Sequence, residues 1–188
     1  AQYKVDFNEA VQIAVQTNPQ GVTTAGATYS VNAQETQPRG LTFNTDGTKM
    51  FVVGASGDDV NEYTLSVGFD LTSTVTFIDS YAVTECPDPT AVKFNADGTK
   101  MFVTGTGNSN VHQYALSTGF DVSTASFTQT LVTTVDTNNF GLDFKDDGTK
   151  MYITGNDNDK IHEYNLSSAF DISSATFNQD LDVSATDV

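Results

Sequence analysis

Few side chains in this sequence could act as chemical groups. There are two histidines, His112 and His162, one cysteine, Cys86, and one arginine, Arg39, against 24 Asp and Glu. The histidines stand in VHQY (111–114) and IHEY (161–164), one repeat position that Asn61 fills in an earlier copy. A general base must converge with a partner on one substrate. Residues related by a repeat fall on separate structural units, so no Ser-His-Asp grouping follows. The expectation is that the chain is not an enzyme and carries no catalytic residue. Arg39 suits a carboxylate or a sugar, or plain packing in a turn.

Carboxylates gather at Asp58-Asp59 and again at Asp157 and Asp159. Ca²⁺ takes about six to eight oxygens, which adjacent carboxylates and backbone carbonyls can supply. These four residues are the candidate Ca²⁺ ligands, although NDNDK (156–160) lacks the Gly and the later Glu of an EF-hand loop. No other cofactor is expected. Cys86 stands alone and makes no internal disulfide. Asn165-Leu166-Ser167 is a formal glycosylation sequon, placed inside a strand motif where the other copies have Thr64 and Ala115.

These groups are positioned by a repeat. FNTDGTKMFVVG (43–54) returns as FNADGTKMFVTG (94–105) and FKDDGTKMYITG (144–155), with Asp46, Asp97 and Asp147 spaced 51 and 50 residues apart. VNEYTLS (60–66), VHQYALS (111–117) and IHEYNLS (161–167) also superpose, as do the Phe-Asp pairs at 69–70, 120–121 and 170–171. Such a period marks stacked supersecondary units. Each unit reads as four short strands. LTF, VKF or LDF comes first, and then an Asp-Gly turn in which Gly accepts positive φ. A strand apolar on both faces follows (MFVV, MFVT, MYIT), then a strand carrying Tyr, and then a Ser-Phe-Asp corner into the fourth. Thr, Val, Phe and Tyr suit strands, and no helical period appears from residue 40 onward. The reading is all-β, with three four-stranded antiparallel units at about 38–88, 89–138 and 139–188 in a repeat domain over 27–188. An arm over 1–26 precedes it. In that arm Tyr3, Val5 and Phe7, then Val11, Ile13 and Val15, alternate as strands do.

The hairpin F-N-x-D-G-T-K-M-F-V resembles the strand–Asp-Gly–strand element of YVTN-type and NHL-type β-propellers. The fuller pattern, with its Tyr-rich strand and FD(I/V)S-(T/S)-A, resembles DGTKMF-type repeats of marine bacterial surface proteins and phage structural proteins. The resemblance spans residues 38 to about 183 and implies a propeller-like fold with an incomplete ring, since propellers close with about four to eight blades. A β-trefoil, which closes with three four-stranded repeats, is the alternative.

Net charge bounds the partners. Eight basic residues leave a formal charge of −16, which disfavours nucleic acid because phosphate binding needs clustered Lys and Arg. No apolar run approaches the ~18 residues of a membrane span, so no membrane insertion is expected. Open blade faces, on which Phe51, Val53, Tyr152 and Ile153 are expected, point to copies of the chain itself as partners. The arm residues Tyr3, Val5, Phe7, Val11, Ile13 and Val15 then add a strand to a neighbour. The expected function is that of a non-enzymatic extracellular or cell-surface structural repeat protein, or a virion one, that self-assembles, with a filament as one form of the assembly. An adhesin or phage-fibre module for glycans or Ca²⁺ is the alternative, and a lactonase- or glycosidase-type propeller the third.

Overall fold

The computed structural model describes residues 29–157 and 159–184. The arm residues singled out above lie outside that range. Twelve strands run in chain order as three sheets of four. Blade one holds β1 (Pro38–Phe43), β2 (Lys49–Gly54), β3 (Asp59–Leu65) and β4 (Val75–Ala82). Blade two holds β5 (Pro89–Phe94), β6 (Lys100–Gly105), β7 (Val111–Leu116) and β8 (Ala125–Leu131). Blade three holds β9 (Asn139–Phe144), β10 (Lys150–Gly155), β11 (Lys160–Leu166) and β12 (Ala175–Asp182). Every strand pairs antiparallel with its sequence neighbours inside its own unit. That excludes the trefoil, whose repeats share strands in a common barrel. The blades form a propeller-type array, and the ring is not closed.

The hairpin between the first two strands is held by its own residues. Gly47, Gly98 and Gly148 have φ of 73°, 73° and 70°, a region that only glycine enters freely. In each turn the preceding Asp binds the Thr two residues on; Asp97 Oδ1 accepts from the Thr99 amide at 2.9 Å and its hydroxyl at 2.6 Å. The Thr hydroxyl bond, helped by the Thr amide, pulls the Asp46 and Asp97 carboxyls below the usual range.

Strands two and three supply the cores. Five of six residues in β2 and in β6 are buried. Phe51, Val53 and Val60 of blade one pack with Val92, Met101, Val103, Tyr114 and Val122 of blade two. Phe102 and Val111 of blade two pack in the same way with Leu142, Met151, Ile153 and Ile172 of blade three. At roughly 1.5–3 kcal/mol for each large side chain removed from water, these two joints dominate the stability of the array. The expected open faces need correction here. Phe51 and Val53 are fully buried because the next blade covers them, and Ile153 is fully buried because it faces the blade before. Only Tyr152 of the four belongs to an open face.

The Ser-Phe-Asp corners depart from the plain strand reading. In blades two and three a 3₁₀ turn follows the corner, at Val122–Thr124 and Ile172–Ser174. Asp121 and Asp171 cap these turns by accepting from the amides of Ser123 and Ser173. The unit with one extra residue, FDLTSTVTF, has no such turn.

Candidate functional site

Each joint between blades is fastened by polar groups of the repeat motif. The lysine of D-G-T-K reaches across to the Phe-Asp corner of the following blade. Lys49 Nζ donates to the Phe120 carbonyl at 2.6 Å, and Lys100 Nζ to the Phe170 carbonyl at 2.8 Å. Two residues beyond those carbonyls, the backbone N–H of Val122 donates to Glu62 Oε2 at 3.0 Å, and that of Ile172 to Gln113 Oε1 at 3.1 Å. Glu62 and Lys49 also pair with each other at 2.7 Å. The acceptor position lies at a register shift of the strand-three to strand-four ladder, between Glu62 and Tyr63 and between Gln113 and Tyr114. Such a bulge re-aims a side chain. The gripped corner is strained: Phe120 and Phe170 have φ of 57° and 52°, a region costly for a non-glycine residue. Each Phe amide bonds back to the hairpin glycine of its own blade, Phe120 to the Gly98 carbonyl at 3.1 Å and Phe170 to that of Gly148 at 3.0 Å, and the two bonds from the neighbouring blade add to that hold.

Blade three carries the same position set with no blade over it among the described residues. Tyr152, Thr154, Ile161, Glu163 and Leu181 line a groove of about 560 Å³, and Leu181 is 60% exposed. Lys150 and Glu163 pair at 2.5 Å. That lysine bond is the main cause holding the Glu163 carboxyl below its usual range.

A second concavity, of about 340 Å³, opens where the first strands end. Thr42, Lys93 and Asp143 occupy one repeat position on β1, β5 and β9 and all face it, with Lys145 and Asp146 at the same opening. Lys93 and Asp143 form an ion pair at 3.1 Å. Arg39, Thr90 and Phe140, which stand at matching places where the first strands begin, lie away from this opening. Thr90 is buried and donates to the Asn139 carbonyl, Phe140 is 45% exposed, and Arg39 lies 3.9 Å from Asp88.

The histidines fall on separate blades and are both buried. His112 Nδ1 meets Thr130 Oγ1 at 3.0 Å and Nε2 meets Asn108 Oδ1 at 3.3 Å. Burial pushes its pKa down. His162 Nδ1 lies 2.6 Å from Asp180, and its Nε2 faces the buried Asp136 Oδ2 at 3.8 Å. Neither of those two facing atoms has a hydrogen-bond partner. Both side chains are closed to solvent, so this pair cannot touch a substrate as it stands. The Ca²⁺ candidates lie between strand two and the start of strand three in blades one and three. Asp58 accepts from the Asp88 amide at 2.8 Å, Asp59 from Asn61 at 2.7 Å, and Asp157 from Thr137 and Asn138, while Asp159 has φ of 50°. Among the described residues no three His, Cys, Asp or Glu gather as a metal set.

No protein-family model matches the sequence, and no curated protein matches it. Solved structures do resemble it. A candidate 6-phosphogluconolactonase of Bacteroides fragilis aligns with TM-score 0.57 at 15% identity, over 78% of this chain and 39% of that one. The β-propeller domain of a Myceliophteria thermophila protein aligns with TM-score 0.53 at 10% identity, over 78% and 43%. The periplasmic gluconolactonase of Pseudomonas aeruginosa aligns with TM-score 0.50 at 16% identity, over 78% and 41%. The chain thus spans about two fifths of the length of these propellers. They establish the fold. They also overturn the expectation that the chain is not an enzyme, because candidate 6-phosphogluconolactonases and a gluconolactonase share its arrangement at 15–16% identity. Two histidines of one repeat position, set on separate blades, offer no convergence on a substrate. Successive blades instead bring unlike residues of one repeat position together, as they do Thr42, Lys93 and Asp143.

Proposed function

We propose that this chain is a β-propeller section that joins further copies of itself through the end faces of its blades. One observation carries the reading: blade three keeps, uncovered among the described residues, the residue set that buries the next blade at both internal joints. The likeness of the motif to DGTKMF-type surface and phage repeats is consistent with a displayed, assembling protein. An extracellular, cell-surface or virion setting belongs to this proposal, supported by the sequence pI of about 4.1 and checked by fractionating the source cells or particles. Sedimentation velocity tests the association. Species heavier than the 20.1 kDa chain are expected, growing with concentration. A strict monomer at the highest soluble concentration overturns the reading.

A second reading, hydrolysis of a sugar lactone, is supported by the cleft that brings Lys93, Asp143 and Lys145 to one opening. Its volume lies within the range of small-molecule sites, about 300–1,000 Å³. The test is lactone opening by gluconolactone and its 6-phosphate, followed against the spontaneous rate. Acceleration lost in Lys93→Met is the expected outcome, and a rate equal to buffer alone removes this reading.

A further inference from the structure

We infer that one proton is held between His162 and Asp136, so that the ring is an imidazolium clamped by two carboxylates, and that this proton latches the linker at 132–138 onto blade three. Among the described residues, the buried side-chain atoms without a hydrogen-bond partner are Asp136 Oδ2, His162 Nε2 and Asn139 Oδ1. The first two face each other at 3.8 Å, on side chains only 0% and 1% exposed. On its other edge the ring meets Asp180 Oδ1 through Nδ1 at 2.6 Å. That bond is the main cause holding the Asp180 carboxyl below its usual range. An ionised Asp180 only accepts, so Nδ1 carries a hydrogen. A neutral ring would then turn a bare Nε2 lone pair towards a carboxylate oxygen. Two buried acceptors facing each other both go unsatisfied, at the desolvation cost of each. A single proton satisfies both and supplies the charge that a buried carboxylate needs. The Asp180 charge beside the ring favours that proton on nitrogen rather than on Asp136.

The repeat separates this grouping from mere burial. His112 holds the same place on blade two and is also buried. Its Nδ1 meets the Thr130 hydroxyl and its Nε2 the Asn108 amide oxygen, both neutral groups, and burial pushes its pKa down. The places that Thr130 and Cys86 take around that unit are taken by Asp180 and Asp136 around the next. Both acids thus accompany the one histidine that they flank. The other groups about the ring complete the balance. Lys160, on the same strand, pairs with Asp180 at 3.3 Å and also lowers Asp182, while β10 sets the uncharged Ile153 opposite His162. Asp136, His162, Asp180 and Lys160 then alternate in sign from the interior to the surface.

Asp136 is what ties the linker down. Its Oδ1 accepts from the Asn138 amide at 3.0 Å, and its carboxyl lies against Gly155, where a Cβ would stand 2.2 Å from Asp136 Cγ. The next two linker residues, Thr137 and Asn138, bond Asp157 in the tip of blade three. Removing the proton leaves a buried carboxylate without its cation, and the relief is to swing Asp136 and the linker out to water. Wherever the folded chain keeps this proton and the unfolded chain has lost it, stability falls as pH rises. Burial acts the other way at His112, where it favours the neutral ring.

Heteronuclear NMR of the imidazole nitrogens in the full chain tests the proton directly. Near neutral pH, His162 is expected to carry a hydrogen on both ring nitrogens, with near-equal nitrogen shifts, while His112 shows the unequal pair of a neutral tautomer. A bare Nε2 on His162 overturns the inference. Asp136→Asn keeps the shape and donates to a neutral ring, so it is expected to return His162 to one hydrogen. The latch is read from amide exchange at Asn138, taken as a ratio to Thr99, whose amide is bonded to Asp97 in a hairpin turn. The ratio cancels base catalysis. Over a pH series through neutrality the wild-type ratio is expected to climb by up to about tenfold per pH unit, the slope of one linked proton, and the Asp136→Asn ratio to stay flat. A flat wild-type ratio means that the proton latches nothing, and overturns the device. Circular dichroism checks that the variant folds; if it does not, the two wild-type measurements decide alone.

Discussion

Gly98 shows how much one atom decides. A Cβ built there would lie 2.3 Å from the Phe120 ring, on a backbone at φ of +73°. Gly98→Val is therefore expected to destabilise by about 1–3 kcal/mol, read as a lower denaturant midpoint at unchanged slope. This position was legible in the sequence because an Asp-Gly turn is a local matter, settled by the residues within it. His112 was legible only as a repeat position. Its burial comes from β7 lying between β6 and β8, which periodicity does not reveal. Burial favours the neutral ring, so the folded pKa lies below the ordinary 6.5. The unfolded chain then binds more protons, and this contribution is fully present above pH 6.5 and lost as pH falls from there through the lower folded value. Comparing melting against pH for the wild type and His112→Asn, the residue blade one uses at Asn61, isolates it. The variant is expected to lose less stability between pH 7 and 5, and parallel curves would refute the assignment.

At the scale of elements, the joints explain why the motif repeats as it does. D-G-T-K reads in the sequence as a turn, and it is one, yet its lysine serves a carbonyl on the next blade 71 residues away. No local pattern announces a partner at that distance, which is why the fastening and the Lys93–Asp143 cleft were not foreseen although the strands were. Glu62 is the sharpest probe, being 1% exposed and tied to both Lys49 and the Val122 amide. Glu62→Ala leaves the buried Val122 amide without its acceptor and Lys49 with the Phe120 carbonyl alone, and is expected to cost about 1–3 kcal/mol. Glu62→Gln keeps the acceptor that Gln113 supplies in blade two and should cost clearly less. Cys86 reports the opening of this joint, since it is buried within that core and its thiol pKa is pushed up to about 12, mainly by burial. Disulfide-exchange reagents should label it faster in Glu62→Ala than in Glu62→Gln. Equal labelling would mean that the acceptor does not hold the joint.

For the whole molecule the dominant quantity is a net charge of −16 per chain. Two copies brought together repel, and the repulsion acts over a screening length of about 10 Å at 0.1 M salt. Association is therefore expected to strengthen on the order of tenfold between low and physiological ionic strength, measured by sedimentation across a salt series. Weakening with salt would mean that attraction between charges, rather than apolar cover, holds the copies together.

The joint also bears on how such a chain can change over generations. Each unit presents a lysine and an acceptor on one side and a strained Phe-Asp corner on the other, so it is a tile with a direction. Tandem duplication of any one unit would insert a tile whose two borders already match their neighbours, and loss of one would leave borders that still match. Blade number is then free to drift by genetic slippage with no compensating substitution. A chain carrying a second copy of residues 89–138 in tandem should fold with its extra blade seated, and its melting temperature should not fall below that of the parent.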